Sequence, residues 1–460
     1  MIGFLAGMKY DNLLFLYDMG TGKTKLSLDL IRQRKRQGLL TRALVLVPTV
    51  IGVDSWVEQV GIHAPMLSVA SMAGGREERE DVTSGRVSST IVITTYMGWL
   101  SMVCDRDAKG KCWVINKARV KKLSKQFDMV VYDESTALKN HRSLSFRVAR
   151  MMTKFIRFRY GLTGTPFGRN PQDLWGQFYV IDRGEALGET LGLFRAAVFS
   201  ETEEYWGGYK YTFKKQCAQE VRRMMAHSAL QYAADECGDL PPVSRIKRSI
   251  VWSDEAWDYY ECMLAQLREA RGNYQMLDNV WTRMRQLASG LLVVESDDGD
   301  RKEIRLANPK MDALIEWINE LPRKEKVVIF NEFISSGNWL VEALSAEGIQ
   351  TARLYSGIRD KKAELQRFNQ DPKCRAFVVN TQSGAKVLNL QVARYIAFYE
   401  SPTSPIDRRQ AEKRCHREGQ IRKVFYYDFF IRNSVEEKIL VYLQEGKDLY
   451  QALVTGKVRV

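Results

Sequence analysis

Residues 18–24 read Asp-Met-Gly-Thr-Gly-Lys-Thr, set between the apolar run LLFLY (13–17) and the amphipathic run KLSLDLIRQ (25–33). A glycine-rich turn with a strand before it and a helix after it aims backbone N–H groups at one point, which suits an anion. Gly20 and Gly22 let the backbone come close to a phosphate, and Asp18, Met19 and Thr21 complete the loop. In that setting Lys23 would reach the β and γ phosphates of ATP, and Thr24 would ligate Mg2+. Tyr17 stands five residues before Gly22, where phosphate loops often carry a further glycine.

Two more groups extend this chemistry. Asp133 ends the run MVVYD (129–133), where a carboxylate can hold Mg2+ through water, and Glu134 beside it can polarise an attacking water. LTGTP (162–166) follows another strand-like run. Far downstream, RRQAEKRCHREGQ (408–420) spaces Gln410, Arg414 and Arg417 at i, i+4 and i+7, which is one face of an expected helix. Two guanidiniums on one face suit a γ-phosphate in the manner of arginine fingers. Each group has a bland reading by itself: a glycine turn, a solvated acidic turn, a basic surface helix. Together they describe ATP hydrolysis.

The elements that would position these residues come in two sets. The first half offers LLFLY (13–17), ALVLV (43–47), TIVITTY (90–96), MVVYD (129–133) and RYGLTG (159–164). The last third offers KVVIF (326–330), TARLY (351–355), AFVVN (376–380), YIAFYE (395–400) and VFYYDFF (424–430). Such short apolar runs suit strands buried on both faces of a parallel sheet. Helix-period segments alternate with them, for example 25–37 and 337–348, so a doubly wound α/β fold is expected twice over. Between about 184 and 305 the pattern changes. The runs 220–236 and 253–290 are helical in period and have no expected strand partner, and the breaker Asp239-Leu240-Pro241-Pro242 lies between them.

The 460 residues imply two or three domains. Lysine and arginine number 69 against 55 acids, a net charge of +14, which favours nucleic acid over a membrane as partner. No apolar run approaches the roughly 18 residues of a membrane span. The start MIGFLAGMKYDN lacks a basic n-region and a small-residue cleavage site, so a secretory signal is not expected. Of seven scattered cysteines only Cys104 and Cys112 are close neighbours, with no second pair to complete a zinc site. Reduced thiols in a cytoplasmic setting are expected.

Read in order, DMGTGKT, LVLVPTVIGVDSW (44–56), ITTY (93–96), DESTALKN (133–140), LTGTPFGRNPQDLW (162–175), VVIFNEF (327–333) and QAEKRCHREGQ (410–420) resemble the motif series of helicase superfamily two. Their detail, with YSGIRDKKAELQRFNQD (355–371) and SVEEKIL (434–440), resembles its Swi/Snf-type branch. The resemblance covers nearly the whole chain and is weakest over 184–305. It implies two RecA-like lobes closing on ATP: 1–183 as the ATP-binding lobe, 184–305 as a helical connector with protrusions, and 306–460 as the second lobe. LPPVSRIKRSIVWS (240–253) resembles the segment leading from the connector into that lobe. The resemblance also implies a motor that translocates on double-stranded DNA without needing to part the strands. Pro48, Thr49, Thr94, Thr95, Lys139 and Thr381 would lie near the DNA backbone, where hydroxyls, amides and lysines bind phosphates without reading bases. Gly384 and Asn389 would contact the nucleotide.

Three positions depart from the branch: Thr136 where histidine is frequent, Ala385 and Val387 where glycines are usual, and Ser401 where tryptophan often precedes the proline. The base-reading glutamine of the branch falls some two dozen residues before the loop lysine, and counting back from Lys23 passes Met1. The chain is therefore expected to begin inside its first helix, or to read adenine loosely. A compact motor without chromatin-reading, nuclease or zinc modules is similar to phage or bacterial members. It would then be a monomer in the bacterial cytoplasm, acting in replication, recombination or repair with a nuclease or recombination partner. Two rival functions stay open: a strand-separating DNA or RNA helicase, and a hydrolysis-silent nucleic-acid-binding module. The basic runs IRQRKRQGLLTR (31–42) and KARVKKLSK (117–125) read either as solvated faces or as DNA contacts. The second falls in an extra segment (101–126) with Trp113 available for stacking.

Overall fold

Five-residue runs such as Ala43–Val47 and Val327–Asn331 are buried at every position, as strands covered on both faces must be. The computed structural model describes residues 1–18, 20–72, 76–84, 86, 88–107, 113–168, 170–203, 208–232, 240–269, 274–295, 301–355, 357–358, 360–381, 390–417 and 419–450. The chain divides into two units, Met1–Gly238 with Gly446–Val460, and Asp239–Glu445.

The first unit holds a seven-stranded parallel sheet. Its spatial order is Ala229–Tyr232, Asn12–Tyr17, Phe158–Leu162, Met129–Asp133, Ala43–Val47, Ile91–Thr95 and Val69–Ser71. Alternation along each strand sends Phe15, Val45 and Val131 to one face, against Leu28, Ile31, Val53 and Trp56. Leu14, Leu44 and Val130 go to the other, against Trp99, Phe146 and Phe178. Helices therefore cover both faces.

The second unit repeats the plan with six parallel strands, in the order Val243–Ile250, Val424–Ile431, Tyr395–Phe398, Val327–Asn331, Ala376–Asn380 and Thr351–Leu354. Aromatic stacking of Phe330 on Phe398 and of Phe368 on Phe377 fills one face. Trp317, Leu340 and Phe429 fill the other. Both sheets are the doubly wound α/β type of RecA-like lobes.

The stretch 220–236, expected to be helical throughout, is not. The helix Ala218–Met225 stops, and Ala229–Tyr232 joins the sheet edge beside Asn12–Tyr17. An open edge offers a row of unpaired backbone groups, and pairing with it outweighs a weak helical period. Residues 184–305 also contain Val243–Ile250, paired along its whole length with Val424–Ile431, and two antiparallel hairpins, Phe199–Glu203 with Tyr209–Phe213 and Leu291–Glu295 with Arg301–Arg305. The run 253–290 keeps its helical reading, as Asp254–Glu269 and Tyr274–Leu287. No helix of the described residues is long and apolar enough to cross a membrane.

Candidate active site

The strand Asn12–Tyr17 releases the chain into the loop 18–22, and the helix Lys23–Arg36 begins at once. Gly20 (φ 81°) and Gly22 (φ 78°) take left-handed conformations that other residues rarely adopt. A Cβ on Gly22 would meet nothing within 4 Å, so backbone conformation alone demands glycine there. Thr21 Oγ1 donates to the Asp18 carbonyl at 2.7 Å, and Lys23 Nζ donates to the carbonyls of Tyr17 and Asp18 at 2.9 and 3.2 Å. Lysine and threonine thus staple the loop from both sides. The first helical turn carries no acid, which leaves its amides electropositive. Met19 lies outside the described residues.

Asp133 ends its strand at the same edge of the sheet. Its Oδ2 accepts from Trp56 Nε1 at 2.8 Å and its Oδ1 from the Glu134 amide at 3.1 Å. Burial, with the charge of Glu134 added, pushes the Asp133 carboxyl up to about 6, against the Trp56 hydrogen bond and the charge of Lys23. Glu134 is held at φ 50°, a left-handed conformation uncommon for a residue with a side chain. Thr163 Oγ1 donates to Glu134 Oε2 at 3.4 Å. A Cβ on Gly164 would lie 2.9 Å from the Tyr17 carbonyl oxygen, so the LTGTP turn rests directly on the phosphate loop. Ser135 Oγ donates to Gln177 Oε1 at 2.9 Å, locking the turn after the acidic pair to the helix Gln172–Asp182.

Among the described residues no cluster of three or more His, Cys, Asp or Glu side chains stands ready to enclose a metal. One half-buried carboxylate and one threonine hydroxyl are nonetheless the donor set that Mg2+ takes when substrate phosphates and water supply the rest. The residues present fit that ion.

Four of the residues expected beside DNA lie around this edge. Thr49 caps the helix Val50–His63, accepting from the Gly52 amide at 3.2 Å, with half-buried Pro48 before it. Thr95 caps Tyr96–Val103, accepting from the Gly98 amide at 2.8 Å. Lys139 follows the single turn Ser135–Leu138 and lies 3.7 Å from Asp173. Thr94 differs: it is fully buried on the inward side of its strand and points at the Met72 carbonyl. Thr381, after Ala376–Asn380 in the second unit, is also fully buried. Both side chains are turned inside.

In the second unit, Gln410 and Arg414 lie buried on the helix Pro405–Cys415. Ser404 caps this helix by accepting from the Asp407 amide. Arg417 does not continue the helical face. The helix stops at Cys415, and Arg417 sits in the turn behind it, where Gly419 (φ 92°) reverses the chain and Gln420 N donates to the Arg417 carbonyl. Arg408 braces the helix: it meets Asp428 and Glu412 and covers the Phe398 ring at 3.4 Å. Burial works against the Glu412 charge, but Arg408 and Arg245 prevail and hold its carboxyl down at about 2. Gly384 and Asn389, with Ala385 and Val387, lie outside the described residues.

Trp56, Tyr96 and Gln177 are not singled out by sequence spacing, although all three lie within quoted or adjoining stretches. Trp56 closes LVLVPTVIGVDSW, and only the fold reveals that its indole reaches Asp133. Trp113, expected to be open for stacking, already carries the Arg106 guanidinium 4.1 Å from its ring centroid.

Comparison with known proteins matches two family models in succession along the chain. The family model described as SNF2-related domain matches residues 5–294, and the helicase conserved C-terminal domain matches 309–419. A SWI/SNF-related, matrix-associated, actin-dependent regulator of chromatin, subfamily A containing DEAD/H box 1A, from Danio rerio is 24% identical over 500 residues, covering 96% of this chain and 49% of that protein. Protein CHROMATIN REMODELING 4 of Arabidopsis thaliana is 24% identical over 473 residues, covering 94% of this chain and 20% of its own. The chain spans less than half the length of either relative, and both are eukaryotic. Among solved structures, the Sulfolobus solfataricus SWI2/SNF2 ATPase core in complex with dsDNA aligns at 20% identity and a TM-score of 0.42, covering 99% of this chain and 91% of that one.

Proposed function

The chain belongs to the SNF2-related domain family, and from that footing we propose that it is an ATP-driven translocase on double-stranded DNA. The observation that carries the reading is the meeting of Lys23, Asp133, Glu134 and the LTGTP turn at one end of a parallel sheet, where open α/β sheets bind their ligands. Asp18 to Thr24 cradle the triphosphate, and Lys23 leaves its two carbonyl partners for the β and γ phosphates. Thr24 and Asp133 hold Mg2+, which neutralises charge on the transferring phosphoryl group when bound. Glu134 orients the attacking water and accepts its proton. Gln410, Arg414 and Arg417 act on the γ-phosphate, with Arg408 keeping the helix of the first two in place.

Pro48, Thr49, Thr95 and Lys139 grip the DNA backbone, and alternating grip through the ATP cycle makes the step. Replication, recombination or repair is the setting we propose. The test is ATPase activity with duplex DNA, single-stranded DNA and RNA side by side, combined with triplex displacement and fork unwinding. Duplex stimulation with triplex displacement is expected. Preference for single strands with fork unwinding would replace this reading by a strand-separating helicase.

A further inference from the structure

Two elements expected to face the DNA backbone converge on one residue of the hydrolytic site. The helix Val50–His63 starts at Thr49, and two turns along it the indole of Trp56, 3% exposed, donates to the Asp133 carboxylate at 2.8 Å. The helix Tyr96–Val103 starts at Thr95, and its first residue, Tyr96, 7% exposed, donates its hydroxyl to the Asp133 carbonyl at 3.0 Å. Lys139 is joined to the same acidic pair by the one turn Ser135–Leu138.

We infer that Trp56 and Tyr96 are positioning residues that transmit nucleic-acid contact to Asp133, an inference that rests on the translocase reading above. A helix moves as a body. A phosphate drawn onto the cap at Thr49 therefore shifts the Trp56 indole, and one drawn onto Thr95 shifts the Tyr96 hydroxyl. Both donors are buried, so solvent does not stand in for either when it moves. They hold Asp133 at two points, side chain and main chain, which fixes where the carboxylate aims. Displacements near 1 Å at such a group are enough to change rate by about 10²-fold. Simple satisfaction of a buried indole would require only some acceptor, whereas here both donors end on the residue assigned to the metal.

The experiment uses Trp56→Phe, Tyr96→Phe and the double variant in the full chain, each keeping its ring and losing its donor. Three quantities are read: the ratio of duplex-stimulated to basal ATPase, duplex affinity with and without Mg2+ and a non-hydrolysable ATP analogue, and the melting temperature. Each single variant is expected to lower the stimulation ratio at least about fivefold, while nucleotide-free duplex affinity stays within about twofold of wild type. The change in duplex affinity on adding the analogue should shrink as well, and by reciprocity of binding the effect of duplex on analogue affinity should shrink by the same factor as that change. The double variant should fall little further, because both donors act on one residue. A purely structural role lowers basal and stimulated rates together; an unaltered ratio and unaltered linkage in both variants would overturn the inference. A wild type that does not respond to duplex DNA would overturn the translocase reading itself, and the inference with it.

Discussion

The Arg408 guanidinium meets both carboxylate oxygens of Asp428, at 2.5 and 3.2 Å, with each side chain only 9% exposed. Asp428 lies on Val424–Ile431 and Arg408 on the helix of Gln410 and Arg414, so the pair fastens that helix to the sheet. Breaking a buried pair from one side leaves an uncompensated charge and costs about 3–5 kcal/mol. Asp428→Asn should lower the melting temperature by on the order of 10 °C. Replacing both partners together with apolar residues of similar volume should recover only part of that loss, because Glu412 then keeps Arg245 alone as its counter-charge. Thermal unfolding of the three chains checks this.

Lys23→Ala should abolish nucleotide binding as well as turnover, since the lysine holds the loop and meets the phosphates. Glu134→Gln should keep nucleotide binding and lose at least about 10²-fold in turnover. Fluorescent-nucleotide titration alongside steady-state hydrolysis separates the two. Near-normal hydrolysis in both variants would refute the site.

Gly164→Ala places a methyl 2.9 Å from the Tyr17 carbonyl oxygen and 3.1 Å from the Asp18 Cα. The LTGTP turn must then withdraw from the phosphate loop. Misplacement of this order costs up to about 10²-fold in rate, and kcat should fall by at least tenfold on that scale. Steady-state kinetics of the variant provides the check.

Glu332, following Val327–Asn331, is pushed up to about 8 by burial, with Glu400 and Asp407 adding to the rise and Arg285 opposing it. A carboxyl raised above its ordinary value favours folding fully below about pH 4.5, and that contribution disappears as pH rises through about 8. The stability of wild type relative to Glu332→Gln should therefore decline across that window, by up to about 1.4 kcal/mol per pH unit. Urea unfolding of both at pH 5, 7 and 9 measures it; a constant difference would rule the protonated carboxyl out.

On the helix Lys117–Ser124, Val120 and Leu123 face inward while Lys117, Lys121 and Lys122 are exposed, and exposed Lys125 follows. Neutralising all four should weaken DNA binding and flatten its dependence on salt, by about 0.9 in logarithmic slope for each lysine that had neutralised a phosphate. Basal ATPase should stay as it is. An unchanged slope would leave these lysines as a solvated face.

All ten strands expected from short apolar runs are present, because a strand buried on both faces writes its own composition. Val69–Ser71, Ala229–Tyr232 and Val243–Ile250 were not legible. The first is three residues long. The other two are stabilised by a neighbouring strand already in place, and their own residues are half-buried or exposed. The loop, Asp133 and Glu134 could be read directly, since their chemistry is local. The partners that hold them could not. Nothing in the spacing of Trp56 and Asp133, 77 residues apart, states that one donates to the other. Arg417 shows the opposite error, a helical period extended two residues beyond a helix that had ended.

The strand Ala229–Tyr232 has a consequence for synthesis. Its last carbonyl, that of Tyr232, accepts from the amide of Asp18 at 3.1 Å, so the opening residue of the phosphate loop is pinned by chain made more than two hundred residues later. A ribosome that has delivered every residue from Asp18 to Asp182 has yet to deliver this clasp. Nucleotide-binding competence should therefore switch on late in translation, only once residue 232 has cleared the exit tunnel.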